Sequence, residues 1–105
     1  MATFIMLTRL SPEAMKSPQS IENLSDEIAE HIRRECPEVE WKANYAILGP
    51  ADYLDIFTAP DNTAATKVAA IIRTFGHATT EIWAATEWQE FVQLIRDLPT
   101  SRSVG

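Results

Sequence analysis

The chain reads Leu48-Gly49-Pro50-Ala51-Asp52-Tyr53-Leu54-Asp55-Ile56-Phe57 at the point that decides how its middle folds. Gly49 and Pro50 interrupt regular structure, and the side chain of Asp52 is of a type that often hydrogen-bonds the backbone of a turn. The apolar residues that follow predict a strand with one carboxylate, Asp55, in its middle. Because a charge in mid-strand is costly unless it is solvated or paired, the stretch predicts a candidate site as well as a turn and a strand.

The segments around this stretch complete an ordered series of elements. Before it, strands are predicted over 3–10 and 38–48, with a helix over 18–35 between them. After the strand over 53–58, Asp61 begins a helix that ends before Gly76, and a strand over 77–85 follows. A capping box, Thr86-Glu87-Trp88-Gln89, opens a third helix. The order β-α-β-β-α-β plus a terminal helix predicts an α+β, ferredoxin-like sandwich, a four-stranded antiparallel sheet with helices on one face.

Length and composition limit the class of protein. A chain of 105 residues is one domain, which we place at 1–98, with a flexible tail over 99–105. The net charge of −6 disfavours binding to nucleic acid or to anionic membranes. The single cysteine, Cys36, excludes an internal disulfide. With no leader pattern and no apolar run near the ~20 residues of a membrane helix, a cytoplasmic protein is expected.

The alternation of side chains predicts which residues share a face of the sheet. A four-residue turn between the second and third strands would place Leu48 opposite Tyr53 and Ala46 opposite Asp55. One side of the sheet then carries Ile5, Leu7, Ile47, Leu54 and Ile82, an apolar set suited to lie beneath the helices. The other, open side is expected to carry Phe4, Met6, Asn44, Tyr53, Asp55, Phe57, Glu81 and Trp83. That set is too apolar to face water, so we expect a partner subunit to cover it and leave a partly polar cavity.

The residues expected to carry chemistry in this cavity are Asp55, Glu81 and His77. Two carboxylates in one cavity repel each other, so one of them can hold a proton and act as an acid or base. Histidine at the start of the last strand is a second proton-transfer group. The alternative is that both carboxylates are solvated or bonded to Asn44, Lys42 or a partner chain. The expected ligand contacts are Phe4, Met6, Asn44, Tyr53, Phe57 and Trp83.

No metal site or cofactor is predicted from the sequence. The two histidines and one cysteine show no spacing that would bring three or four ligands together. With three glycines in the whole chain, a glycine-rich phosphate loop is not expected either.

These residues resemble the GYD-domain family of small bacterial proteins. The similarity lies in the opening strand over 3–10, the turn over 48–52, the segment over 53–57 that leads to Ala59-Pro60-Asp61, and Thr80-Glu81 after Gly76. It covers about residues 2–91. Ala51 stands where the family has the tyrosine of its name, so no role of that tyrosine carries over. Thr79 likewise stands where the family tends to have a basic residue.

The resemblance implies a ferredoxin-like member of the dimeric α/β-barrel superfamily. That superfamily includes cofactor-free oxygenases, isomerases, dehalogenases and plain ligand binders, so the fold does not determine the activity. The leading hypothesis is a homo-oligomer, a dimer or larger, that binds a small, partly apolar molecule in a cavity on the open sheet face. The alternatives are a cofactor-independent enzyme that uses the same cavity for proton transfer, and a structural oligomer without a ligand.

Overall fold

The sheet and helices follow the predicted order. The computed structural model describes residues 1–99, so the predicted tail beyond Pro99 lies outside the described residues. Strands β1 (Ala2–Leu10), β2 (Glu40–Ala46), β3 (Tyr53–Ala59) and β4 (Ala78–Ala85) form one antiparallel sheet in the order β2-β3-β1-β4. The helices are α1 (Pro18–Glu35), α2 (Asn62–Phe75) and α3 (Trp88–Asp97), and a short 3-10 helix spans Pro12–Met15. The ferredoxin-like α+β prediction is confirmed.

Polar side chains and one glycine set the limits of the helices. Ser17 Oγ accepts a hydrogen bond from the Ser20 amide at 3.0 Å, and Asp61 Oδ1 accepts one from the Ala64 amide at 2.9 Å. Gly76 ends α2 as predicted. A Cβ on Gly76 would lie 2.6 Å from the carbonyl oxygen of Ile72, so this close approach requires glycine.

The sequence predicted the wrong N-cap residue for α3. Glu87, rather than Thr86, is the N-cap, and its side chain accepts hydrogen bonds from the amides of Gln89 and Glu90. Glutamate can cap here because its carboxylate reaches back over the first turn and favours the positive end of the helix dipole.

The face assignment of β1 and β3 is also wrong. Phe4, Met6 and Phe57 do not lie on the open side but in the core beneath the helices. The core is completed by residues of β3, α1 and α2, namely Ala59, Ile32, Cys36, Ala65, Val68, Ile71 and Ile72. The pattern misled because both faces of β1 and β3 are apolar, so alternation alone cannot tell which face the helices cover. For β4 the assignment holds, since Ile82 packs against the core.

The pairing of β2 with β3 is shifted by two residues from the prediction. Asn44 lies opposite Asp55 and Ala46 opposite Tyr53, because the connection is longer than the four residues expected. An irregularity between Trp41 and Ala43 interrupts the ladder at Lys42. Such a bulge adds one residue to β2, so the side chains before it point to the opposite face from the one that regular alternation would give. Trp41 therefore lies opposite Phe57, with the two rings 5.3 Å apart, instead of facing the open side with Tyr45.

Candidate functional site

A cleft of about 640 Å³, here called the α1 cleft, lies between α1 and the helix-covered side of the sheet. It exists because α1 is buried at one end only. Ile32, in the last turn, is buried, whereas Ile21, Leu24 and Ile28 nearer the start of the helix are only half-buried. Ile28 still packs against the core. The apolar stripe of α1 therefore stands off the sheet in the first half of the helix, and Trp41 and Met6 line the space beneath it.

The main polar feature of the cleft is the pair Asn44 and Asp55. The Asn44 side-chain nitrogen donates a hydrogen bond of 2.7 Å to Asp55 Oδ1. Burial raises the pKa of Asp55, and the hydrogen bond from Asn44 opposes that shift because it favours the charged form. Burial also raises the pKa of Tyr53, and the charges of Asp52 and Asp55 act in the same direction. The cleft thus holds a carboxylate whose ionisation is made costly by burial, and the hydrogen bond from Asn44 offsets only part of that cost.

The residues predicted to carry chemistry do not lie together. Asp55 faces the α1 cleft, whereas Glu81 is exposed on the opposite side of the sheet. There Glu81 Oε1 accepts a hydrogen bond of 3.0 Å from the indole nitrogen of Trp83. His77 is exposed in a left-handed backbone conformation with φ of 49°, and its carbonyl oxygen accepts a hydrogen bond from the Ser11 amide. The expected carboxylate pair of Asp55 and Glu81 is therefore wrong, because the sheet lies between them.

The predicted ligand contacts divide into three groups. Met6, Asn44 and Tyr53 line the α1 cleft. Phe4 and Phe57 lie in the core, where their rings stack with centroids 5.5 Å apart. Trp83 lies on the open face, 52% exposed. The prediction placed all six on the open face, and the structure corrects that position for every one except Trp83.

Sequence reasoning missed the contribution of α1 to the cleft. Glu22 and Asp26 line it together with the half-buried apolar residues of that helix. The apolar stripe of α1 was visible in the sequence but was read as ordinary core. Trp41 was not among the expected ligand contacts because alternation placed it on the side beneath the helices, whereas the site was expected on the open side.

The turn before β3 has a structural role. Asp52 Oδ2 accepts a hydrogen bond of 2.8 Å from the Leu10 amide, and the Asp52 amide donates one of 2.8 Å to the Thr8 carbonyl. The guanidinium of Arg9 also donates to the Pro50 carbonyl, with its Nε at 2.7 Å. Asp52 therefore ties the turn to the end of β1 and holds the cleft-facing start of β3 in place.

A second apolar surface lies on the open side of the sheet. We define the open face as Ile5, Leu7, Tyr45, Leu54, Ile56 and Trp83, which share this side by register. Tyr45 and Trp83 are exposed, and the other four are half-buried. Helix α3 has no buried side chain within residues 1–99, although it carries Trp88, Phe91, Leu94 and Ile95.

The described residues contain neither a membrane-spanning helix nor a group of side chains arranged to bind a metal ion. Over residues 1–99, no helix combines the length and apolar character needed to cross a bilayer. In the same part of the chain, no group of three or more His, Cys, Asp or Glu side chains is arranged to hold a metal ion.

Comparison with known proteins gives a match to one family and matches of fold to solved structures. The GYD domain family matches residues 4–95. The leucine response regulatory protein LrpA of Mycobacterium tuberculosis superposes with a TM-score of 0.55 at 17% identity, over 82% of this chain. This chain spans about half of LrpA, 51% of its length. A de novo designed protein with a ferredoxin fold superposes with a TM-score of 0.50 at 12% identity, covering 99% of this chain and 92% of the design. At these identities the likeness concerns the fold alone. No curated protein matches.

Proposed function

This chain belongs to the GYD domain family, and from that premise we propose that it binds a small, partly apolar molecule in the α1 cleft. The observation that carries the proposal is the cleft itself, which combines an apolar lining with the Asn44–Asp55 pair. Its volume of about 640 Å³ falls within the range of small-molecule sites, which are mostly apolar with a few placed polar groups. The location differs from the one expected from the sequence, which was the open face.

The incomplete packing of α1 supports the same proposal. An interior of a small domain is normally close-packed, and an unfilled apolar space of this size forgoes contact energy. A ligand beneath the half-buried Ile21 and Leu24 would supply the missing contacts.

The test is to fill the cleft from α1 and ask whether a bound molecule is lost. Ala29 is exposed on α1 and lines the cleft, so Ala29→Trp would occupy it. Ala70 is exposed on α2 and serves as the matched control in Ala70→Trp. Both variants are expressed in the native host and analysed by native mass spectrometry. We expect a retained small mass in wild type and Ala70→Trp and its loss in Ala29→Trp. Retention in Ala29→Trp would contradict the proposal.

A second candidate is proton transfer in the same cleft, favoured by the raised pKa of Asp55. A carboxyl that holds its proton nearer to neutral pH is a better acid and base than an ordinary aspartate. Asp55 would act alone in this role, because Glu81 and His77 lie elsewhere. Turnover of the retained molecule by wild type, but not by Asp55→Asn, would establish catalysis. Release of the molecule unchanged by both proteins would leave binding alone.

We further propose that the chain forms a homo-oligomer through the open face. Tyr45 and Trp83 are exposed there beside four half-buried aliphatic residues. A contiguous apolar surface of this kind on a small domain is typical of a subunit interface. Sedimentation of the wild type and of a variant with a charge on the open face tests the proposal.

A further inference from the structure

The charged side chains that line the α1 cleft all have the same sign. They are Glu22, Asp26 and Asp55, and no lysine, arginine or histidine of residues 1–99 lines it. The ion pairs found in that part of the chain use Glu30, Glu35 and Glu40, so none of them neutralises a cleft carboxylate. An anionic ligand would meet uncompensated negative charge in a partly desolvated space, where such repulsion is weakly screened.

The Asn44–Asp55 pair fixes which hydrogen-bonding groups face the ligand. The amide nitrogen of Asn44 is already donated to Asp55 Oδ1. The second N–H of that amide remains a donor, but most of what the pair offers to a third group is acceptor oxygen, from the Asn44 carbonyl and the free side of the Asp55 carboxylate. A ligand that donates hydrogen bonds therefore matches this pair best, and the strongest such donor to a carboxylate is a charged N–H.

Aromatic rings provide the rest of the match. Trp41 and Tyr53 line the cleft alongside the aliphatic residues of α1. The negative face of an aromatic ring attracts a cation within about 6 Å of the ring. Aliphatic and aromatic walls together suit a molecule that has an apolar body and one cationic end.

We infer that the α1 cleft takes an amphipathic organic cation, an alkyl or aryl amine whose ammonium group binds Asp55 and Asn44 while its apolar body lies beneath α1. This inference rests on the proposed function, since it names the chemical class of the molecule that the cleft binds. A cation would also relieve the cost of ionising Asp55 in a half-buried position, which burial alone makes unfavourable.

Three probes of similar size separate charge preference from cleft binding. They are phenethylammonium, 2-phenylethanol and 3-phenylpropionate, titrated near neutral pH while backbone amide shifts of Asn44 and Trp41 are followed by NMR. We expect the cation to bind at least about tenfold more tightly than the other two, the scale of one charge-assisted hydrogen bond. Asp55→Asn should remove that advantage, so that the cation and 2-phenylethanol bind with similar affinity. Glu81→Gln, which removes a carboxylate from the opposite face, should leave all three affinities unchanged.

The outcomes distinguish this inference from the proposed function. Equal binding of all three probes at the cleft, or preference for the carboxylate, would overturn the cation inference and leave the cleft proposal standing. A cation preference that survives Asp55→Asn would also overturn it. Absence of shifts at the cleft with every probe would overturn both.

Discussion

Asn44 and Asp55 lie directly opposite each other on β2 and β3, and their side chains are joined by a hydrogen bond of 2.7 Å at the mouth of the α1 cleft. The bond compensates part of the cost of holding a carboxylate there, and burial accounts for the remaining upward shift in the pKa of Asp55. Stability, acid-base behaviour and ligand preference are therefore coupled through this pair.

The first prediction concerns the pH dependence of stability. Because the pKa of Asp55 is raised in the folded protein, the folded state binds its proton more tightly than the unfolded state. The free energy of unfolding should thus fall as pH rises from the ordinary aspartate pKa through the raised folded value. Asp55→Asn cannot ionise and keeps an acceptor for Asn44, so it should gain stability relative to wild type over that window. Urea denaturation of both proteins between about pH 3 and pH 7 measures the difference, which amounts to about 1.4 kcal/mol per pKa unit. A variant that loses stability relative to wild type as pH rises would contradict it.

The second prediction concerns the contribution of Asn44 to the same equilibrium. Its hydrogen bond favours the ionised form of Asp55, so Asn44→Ala should raise the pKa of Asp55 further. The measurement is an NMR titration of the Asp55 side-chain carboxyl carbon in both proteins. Lys42→Ala is the control, because Lys42 pairs with Glu40 and not with Asp55. A lower pKa in Asn44→Ala would show that the hydrogen bond does not favour the charged form.

The third prediction tests the corrected face assignment. Phe57 is fully buried beneath the helices, so Phe57→Ala should destabilise the protein by roughly 3–5 kcal/mol. Its neighbour Thr58 points to the other side of β3, and Thr58→Ala should cost less than about 1 kcal/mol. Chemical denaturation of the two variants at one protein concentration provides the comparison. Equal costs would mean that Phe57 is not a core residue.

The fourth prediction concerns the turn before β3. Asp52→Ala removes the acceptor for the Leu10 amide, and it should cost about 1–3 kcal/mol if that amide is left without a partner. Asp61→Ala, which removes the N-cap of α2, should cost about 1 kcal/mol and leave the cleft intact. Thermal melting measures the loss of stability in each variant. Hydrogen exchange at the Leu10 amide distinguishes the two variants, because only Asp52→Ala removes the acceptor of that amide. Unchanged protection of the Leu10 amide in Asp52→Ala would contradict the structural role of Asp52.

The fifth prediction concerns the oligomer. Leu54 lies in the middle of the open face, opposite Leu7 on one side and Tyr45 on the other. Leu54→Lys should shift the sedimentation coefficient from an oligomer to a monomer, because a buried lysine without a partner is costly at an interface. Ala70→Lys on the exposed side of α2 should leave it unchanged. A wild-type monomer at micromolar concentration would overturn the proposal itself.

The order of elements was predictable because it depends on local signals. Ser17, Asp61 and Gly76 mark helix ends through their own backbone chemistry, and their neighbours do not have to be known. The pairing of Glu81 with Trp83 on one face and of Ile82 on the other was also predictable from strict alternation.

The position of the site was not predictable, because it depends on two non-local choices. The first is which apolar face of β1 and β3 the helices cover, and Phe4 and Ile5 satisfy either choice about equally by hydrophobicity alone. The second is the register of β2 on β3, which the bulge at Lys42 and the longer turn set together. An error in the first choice moved Asp55 to the wrong side of the sheet while leaving the fold correct.

Helix α1 is buried in the core only near its end, so its start can tilt relative to the sheet. Ile32 is fixed in the core, and the helix start at Pro18 lies roughly 20 Å away along the axis. A tilt of about 10° at Ile32 would move that end by between 3 and 4 Å, as follows from the rise of about 1.5 Å per residue. Such a tilt would widen or narrow the α1 cleft to fit ligands of different width, while the stacked rings of Phe4 and Phe57 stay in place.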